Sequence, residues 1–248
     1  VIRVRVFRGE HVESEHEVLV GGPHVVYARS AAKPLQALPA LRAGVLGHFG
    51  LDDRHLAIAC ASHGGSDAHV ALVGEILAAC GLSEQALGCG PDLPRDPRVH
   101  AAPARIRHNC SGKHALGLAL CVLEGWPTDG YWEASHPLQR AMFHAIAEAT
   151  GVEHPEGGVD GCGMTALRVP LDALGTAFAS LDARVREAML THPELIAFDG
   201  AVDTELLRRG RLAKVGADGV LAVEGVALKV VDGSMRALDA AAALLFDL

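Results

Sequence analysis

The chain has 248 residues, half of them apolar, and 22 basic against 30 acidic side chains give it a net charge of −8. No stripe concentrates Lys or Arg, so nucleic acid is not an expected partner. No apolar run approaches the roughly 20 residues of a membrane span, so neither is a bilayer. Aromatic residues make up only 4%, and alanine and leucine carry the apolar content, which favours close-packed helices over an all-β sandwich.

In chain order, residues 1–28 read as strands: VIRVRVF, EHEVLV and HVVYA, separated by GEHVES and GGP turns. From Ser30 the pattern turns helical. Ser30 reads as an N-cap, Pro34 sits in the first turn, and Leu35, Leu38, Leu41 and Val45 keep a helical period. HLAIACASHGG is a short apolar run ending in a Gly pair, and DAHVALVGEILAACG is a helix stopped by Gly81. Residues 88–107, with four prolines, form an extended loop. HALGLALCVLEG and HPLQRAMFHAIAEATG are helices ending at Gly125 and Gly151, and after a GGVDGCGM turn helices are expected near 164–179 and 181–191. RLAKVG, GVLAVEG and VALKVVDG read as strands, and SMRALDAAAALLFDL is a closing helix. With strands at both ends and helices between, the expected fold is α+β: one domain, 1–248, whose antiparallel sheet comes from about 1–30 and 208–248 and whose helical lobe spans about 31–207.

The six cysteines form no CxxC pair, and VIRVRVFRGE shows no secretory h-region, so the thiols read as reduced and the protein as cytoplasmic. A homodimer is expected only because two-fold dimers are the commonest oligomers.

Five stretches hold residues that can do chemistry. RSAAKP contains Ser-x-x-Lys, which on a helix puts Lys33 on the face of Ser30; a desolvated amine can act as base for a serine hydroxyl. Alone, the motif is as well explained by a cap and a solvated lysine. ASHGG places Ser62 and His63 at the end of an apolar run, with glycines that allow close approach to the backbone; a turn with a cap at Ser66 or Asp67 is the simpler reading. HNCSGKHA sets Cys110 just before a helix, where the macrodipole favours a thiolate. GGVDGCGM flanks Cys162 with glycines. Two thiolates from separate loops can bind Zn²⁺ with a third ligand, for which His108 and His114 are the conventional choices and Lys113 an unconventional one; two unrelated buried cysteines, or a disulfide, remain the alternative. AKVGADG carries Lys214 on a strand, and Lys229 in VALKVVDG competes for the same role.

Taken in order, RSAAKP, SHGG, HNCSGKHA, DGCG and KVGADG resemble the asparaginase II family, the Rhizobium-type L-asparaginases. KPLQALP, GWPTDGY, HPLQRA, THPEL and ALKVVDGS extend the resemblance along nearly the whole chain. It implies a fold similar to serine β-lactamases and serine glutaminases, and hydrolysis of the L-asparagine side-chain amide to L-aspartate and ammonia. It also implies two Ser–Lys tandems, Ser30 with Lys33 and Ser62 with Lys214, and a zinc site at Cys110, Lys113 and Cys162. Arg29, His63, His114 and Asp160 would surround the substrate. Ser30 is the first choice of nucleophile, with Lys33 as base; both serines have a lysine assigned, so the reverse order stays open.

The chain departs from the family pattern in places. Ser66 and Asp67 stand where a Glu is expected after the SHxG segment, and GADG replaces GAEG. The segments before RSAAKP and between DGCG and THPEL are short. Rival readings are another amide or β-lactam substrate on the same Ser–Lys machinery, a non-catalytic amino-acid binder, and a structural or redox Cys–Lys site.

Overall fold

The structure, a computed structural model, describes residues 1–153 and 156–248. Strands β1 (Ile2–Arg8) and β2 (His11–Val20) form an antiparallel hairpin that obeys its sequence alternation: Val4 and Val6 point inward, while Arg3 and Arg5 lie opposite Glu17 and Glu15 on the solvent face. A short strand, β3 (Val25–Tyr27), leads into a 3-10 turn over Arg29–Ala32. Three one-turn helices follow, α1 (Lys33–Gln36), α2 (Leu38–Arg42) and α3 (Val45–Phe49). The continuous helix expected from Ser30 is therefore broken. Pro39 interrupts the ladder and Gly44, at φ 77°, turns the chain. Ser30 lies inside the 3-10 turn and caps nothing.

Helices α4 (Asp53–Cys60) and α5 (Asp67–Ala79) start from capping boxes at Asp52 and Ser66. α6 (Ser111–Glu124) and α7 (Pro137–Thr150) end at left-handed glycines, Gly125 and Gly151. Strands β4 (Gly157–Val159) and β5 (Thr165–Pro170) come next, then α8 (Leu171–Ala179), α9 (Ala183–Thr191), α10 (Pro193–Ile196) and α11 (Val202–Arg208). Strands β6 (Ala213–Gly216), β7 (Val220–Val223) and β8 (Val226–Val230) and helix α12 (Met235–Phe246) complete the chain.

The fold is α+β. A five-stranded antiparallel sheet, ordered β1-β2-β8-β7-β6, joins the two ends of the chain. Two expectations are corrected. β3 belongs to a second sheet, β3-β5-β4, and residues 165–170 are a strand rather than the start of a helix. The period of TALRVP is too short to separate strand from helix, and its pairing partners lie far away in sequence. The terminal sheet is covered on both faces, which explains the unalternating apolar run of β7: Val220 and Ala222 pack into the helical body, while Leu221 and Val223 pack under α12. Gly175 on α8 lets that helix lie against β8, where a Cβ would stand 2.8 Å from the Val226 backbone. None of the described helices is long and apolar enough to cross a membrane.

Candidate active site

The 3-10 turn, the loop after α4, the start of α6 and the strand β6 converge on one cavity. Its volume is about 380 Å³, and Ser30, Ser62, Arg95, Asn109, Gly216 and Asp218 are among its lining residues. That is room for a small amino acid. Strand β6 comes within contact of the turn because of Gly216, whose Cβ would lie 2.7 Å from Ala28 O. Ser62 is held by a strand-like pairing: its N–H donates to Ile196 O (2.8 Å), and that of Gly64 to Ala197 O (3.0 Å).

Lys33 is fully buried at the centre. Its Nζ donates to Ala61 O (2.6 Å), Ser62 Oγ (3.0 Å) and Asn109 O (3.2 Å), so all three ammonium protons have acceptors. Burial pushes its pKa down. The Cys110 and Cys162 sulfurs oppose that shift, and the Lys113 cation adds to it. Lys33 thus bonds the hydroxyl of the other motif's serine. Ser30, half-exposed on the cavity wall, makes no side-chain hydrogen bond among the described residues.

Lys214 is equally buried and donates to Asp203 Oδ2 (2.7 Å) and Val215 O (2.9 Å). Asp203 also accepts from Val215 N (3.1 Å), which ties α11 to β6. Burial pulls Lys214 down to about 8; Asp203 resists this and Lys33 reinforces it. Cys60 lies in the field of both amines, yet burial raises its thiol to about 12, so it is an inert neighbour. Lys229, the competitor, donates to Val230 O (2.7 Å) and Asp218 O and is fixed to the sheet's own backbone.

Arg29 has φ 50°, in the left-handed region that a non-glycine residue seldom adopts. Its guanidinium donates to Asp160 Oδ1 (2.8 Å) and to Asp218, so both carboxylates already engage it. Asp160 in turn accepts from Gly161 N (2.8 Å) and shapes the turn that presents Cys162. His63 is fully buried behind the cavity wall. Its Nδ1 accepts from Gly65 N (3.2 Å), so Nε2 carries the hydrogen and donates to Ser111 Oγ (2.8 Å). Burial keeps this imidazole neutral.

Beside Lys33 lies a sulfur-rich cluster. Cys110, at the N-cap of α6, donates to Asn109 Oδ1 (3.3 Å) and adjoins Cys162, and Lys113 Nζ donates to Cys162 Sγ (3.3 Å). Cys162 is held far below the ordinary thiol range, first by the adjoining Cys110 thiol and then by Lys113 and His114, while Cys110 is pushed up. Lys113 stays charged because Cys162, Cys110 and Asp160 outweigh its burial. Gly112 is what lets α6 start here: a Cβ would stand 2.2 Å from Ile58 O on α4.

His114 is fixed by a relay. Gly88 N donates to the Tyr131 hydroxyl (2.7 Å), whose own proton goes to His114 Nδ1 (2.6 Å). Nε2 therefore carries hydrogen; it is buried without a well-formed partner, and Cys162 is the acceptor nearby. Burial pushes this imidazole down to about 4. An Nε2–H faces a thiolate better than it faces a metal ion. Cys110 and Cys162 could offer a metal ion two thiolates, and Lys113, an ammonium here, could join them only after losing its proton. Among the described residues, no three His, Cys, Asp or Glu side chains are grouped to hold a metal.

Three contributors escape sequence reasoning. Asp203 sits in VDTEL with no motif, Arg95 sits in a proline-rich loop, and Asn109 acts through its carbonyl, which no side chain announces.

Fold and site define an α+β protein with two serines and two buried lysines around a small polar cavity. A family model described as L-asparaginase II matches residues 4–247, and the chain belongs to that family. No curated protein matches the sequence.

Proposed function

We propose that the protein hydrolyses the side-chain amide of L-asparagine to L-aspartate and ammonia through an acyl-enzyme on Ser30. The observation that carries this reading is Lys33. It is a fully buried amine with a lowered pKa, placed three residues from Ser30 and hydrogen-bonded to Ser62, and both serines line the same cavity. Ser30 is the more accessible hydroxyl and has no side-chain partner among the described residues, whereas Ser62 is 2% exposed.

In this mechanism the neutral Lys33 amine takes the Ser30 proton as Oγ attacks the amide carbon. Ser30 and Ala217 both line the cavity, and their backbone N–H groups would face the developing oxyanion. The Lys33 proton passes through the Ser62 hydroxyl to the leaving nitrogen, which departs as ammonia and leaves an ester on Ser30. Water then attacks the ester. Lys33 accepts its proton and returns one to Ser30, releasing L-aspartate. Lys214, held by Asp203, keeps a positive charge behind Ser62.

We extend the proposal to Zn²⁺ held by Cys110, Lys113 and Cys162, where it would supply a fixed positive charge beside the cavity. Loading requires Lys113 and Cys110 to lose their protons, so metal uptake rises with pH.

A second reading exchanges the serines, with Ser62 as nucleophile; its 3.0 Å bond to Lys33 favours it. Rapid quenching of the enzyme with L-asparagine, followed by peptide mass spectrometry, separates the two. An aspartyl adduct on the Ser30 peptide supports the proposal. An adduct on Ser62 transfers the role, and turnover that leaves neither serine modified under any quench condition counts against an acyl-enzyme.

A further inference from the structure

Three arginines, one in the 3-10 turn and two in the loop over residues 88–107, are committed to carboxylates. Arg29 is held by Asp160 and Asp218, Arg98 by Asp96 and Asp199, and Arg107 by Asp67. Arg95 is different. It lines the cavity with Ser30 and Ser62, and it takes part in no ion pair among the described residues. Its position is nevertheless defined. NH1 donates to Ser62 O (3.2 Å), and the guanidinium lies over the Phe198 ring, 5.7 Å from its centroid. Asp96 N donates to Gly64 O (3.0 Å), which anchors the loop at the next residue, and Asp96 itself is occupied by Arg98. Asp239 feels the Arg95 cation without reaching ion-pair distance. A guanidinium has five N–H donors, and only one of these is used among the described residues.

We infer that Arg95 is the residue that holds the α-carboxylate of the substrate and selects free amino acids over neutral amides. This rests on the amide-hydrolysis reading for the identity of the substrate. The chemistry is that of a planar fork meeting a carboxylate. Its placement is specific: the NH1 group bonds the carbonyl of Ser62, so a carboxylate on the remaining donors brings the substrate's side chain alongside both serines. Arg29 has no comparable freedom, because binding substrate there would mean displacing Asp160 or Asp218.

The test compares wild type, Arg95→Gln and Arg95→Lys on L-asparagine and on L-asparaginamide, which lacks the carboxylate. Calorimetric binding of L-aspartate is measured alongside. Losing charge-assisted hydrogen bonds corresponds to about a 10- to 150-fold rise in KM for L-asparagine in Arg95→Gln. kcat should change little, since the group binds ground and transition states alike. Arg95→Lys should fall between. L-asparaginamide should be handled equally by wild type and Arg95→Gln, and wild type itself should prefer L-asparagine by a comparable factor, a comparison that needs no folded variant. An unchanged KM for L-asparagine in Arg95→Gln, or equal loss on both substrates, overturns the inference. If wild type binds L-aspartate, Arg95→Gln does not, and neither releases ammonia, the carboxylate anchor stands and the asparaginase reading fails. If wild type binds no L-aspartate and shows no preference between the two amides, the inference fails by itself.

Discussion

Replacing Asp203 by Asn removes the charge that faces Lys214 while preserving shape. Rupture of a fully buried ion pair costs about 3–5 kcal/mol when the remaining charge has no escape. Lys214 has one, because its pKa is already down at about 8. The sign follows from linkage. A lysine depressed in the folded state holds fewer protons there than its unfolded counterpart, so its charge is a cost below about 8 that is relieved as pH rises toward 10.5. In Asp203→Asn the folded value falls further, and the variant keeps Lys214 neutral at pH values where wild type protonates it. At pH 9 both are mostly neutral, and the variant should lose only a hydrogen bond, about 1 kcal/mol. At pH 7 the wild-type pair gains about 1.4 kcal/mol from the bound proton that the variant lacks, so the loss should be about 2–3 kcal/mol. At pH 6 it should approach about 4 kcal/mol. Urea denaturation at the three pH values reads this directly. A loss that is the same at pH 9 and pH 6, or below about 1 kcal/mol at pH 6, refutes the claim that Asp203 holds Lys214 charged in the core.

Gly112→Ala forces a methyl against Ile58 O and should cost about 1–3 kcal/mol, seen as a lowered thermal midpoint. Lys33→Met should abolish ammonia release with the fold intact by circular dichroism. In wild type, kcat/KM should rise with pH through a limb below 10.5, because burial favours the neutral amine; an activity that falls across that limb contradicts a lysine base. Cys162→Ser should lower zinc content after dialysis against Zn²⁺ and should shift the Lys113 environment, while His114→Gln should retain the metal; the opposite pattern would make the histidine the third ligand.

The sequence exposes the terminal hairpin and the closing strands because one face of each is patterned or its run is bounded by glycine turns. It also exposes every chemistry-bearing motif, since Ser-x-x-Lys, SHGG and HNCSGKHA are local. What it hides is pairing between segments. RSAAKP pairs Lys33 with Ser30, but it does not reveal that the same side chain bonds Ala61, Ser62 and Asn109, over a sequence separation no period encodes. Likewise Asp203, which holds Lys214, and strand β5, which pairs with β3 and β4, are defined only once distant elements pack.

The central claim is that this cavity cleaves an amide with a Ser–Lys pair. Ammonia release from L-asparagine, with L-glutamine in parallel, should be measured for wild type, Ser30→Ala and Ser62→Ala, each with its metal content determined. The account predicts release from L-asparagine by wild type, a loss of about 10³-fold or more in Ser30→Ala at unchanged metal content, and a smaller loss in Ser62→Ala. Wild type that releases no ammonia from either amide, or a Ser30→Ala variant as active as wild type, contradicts it.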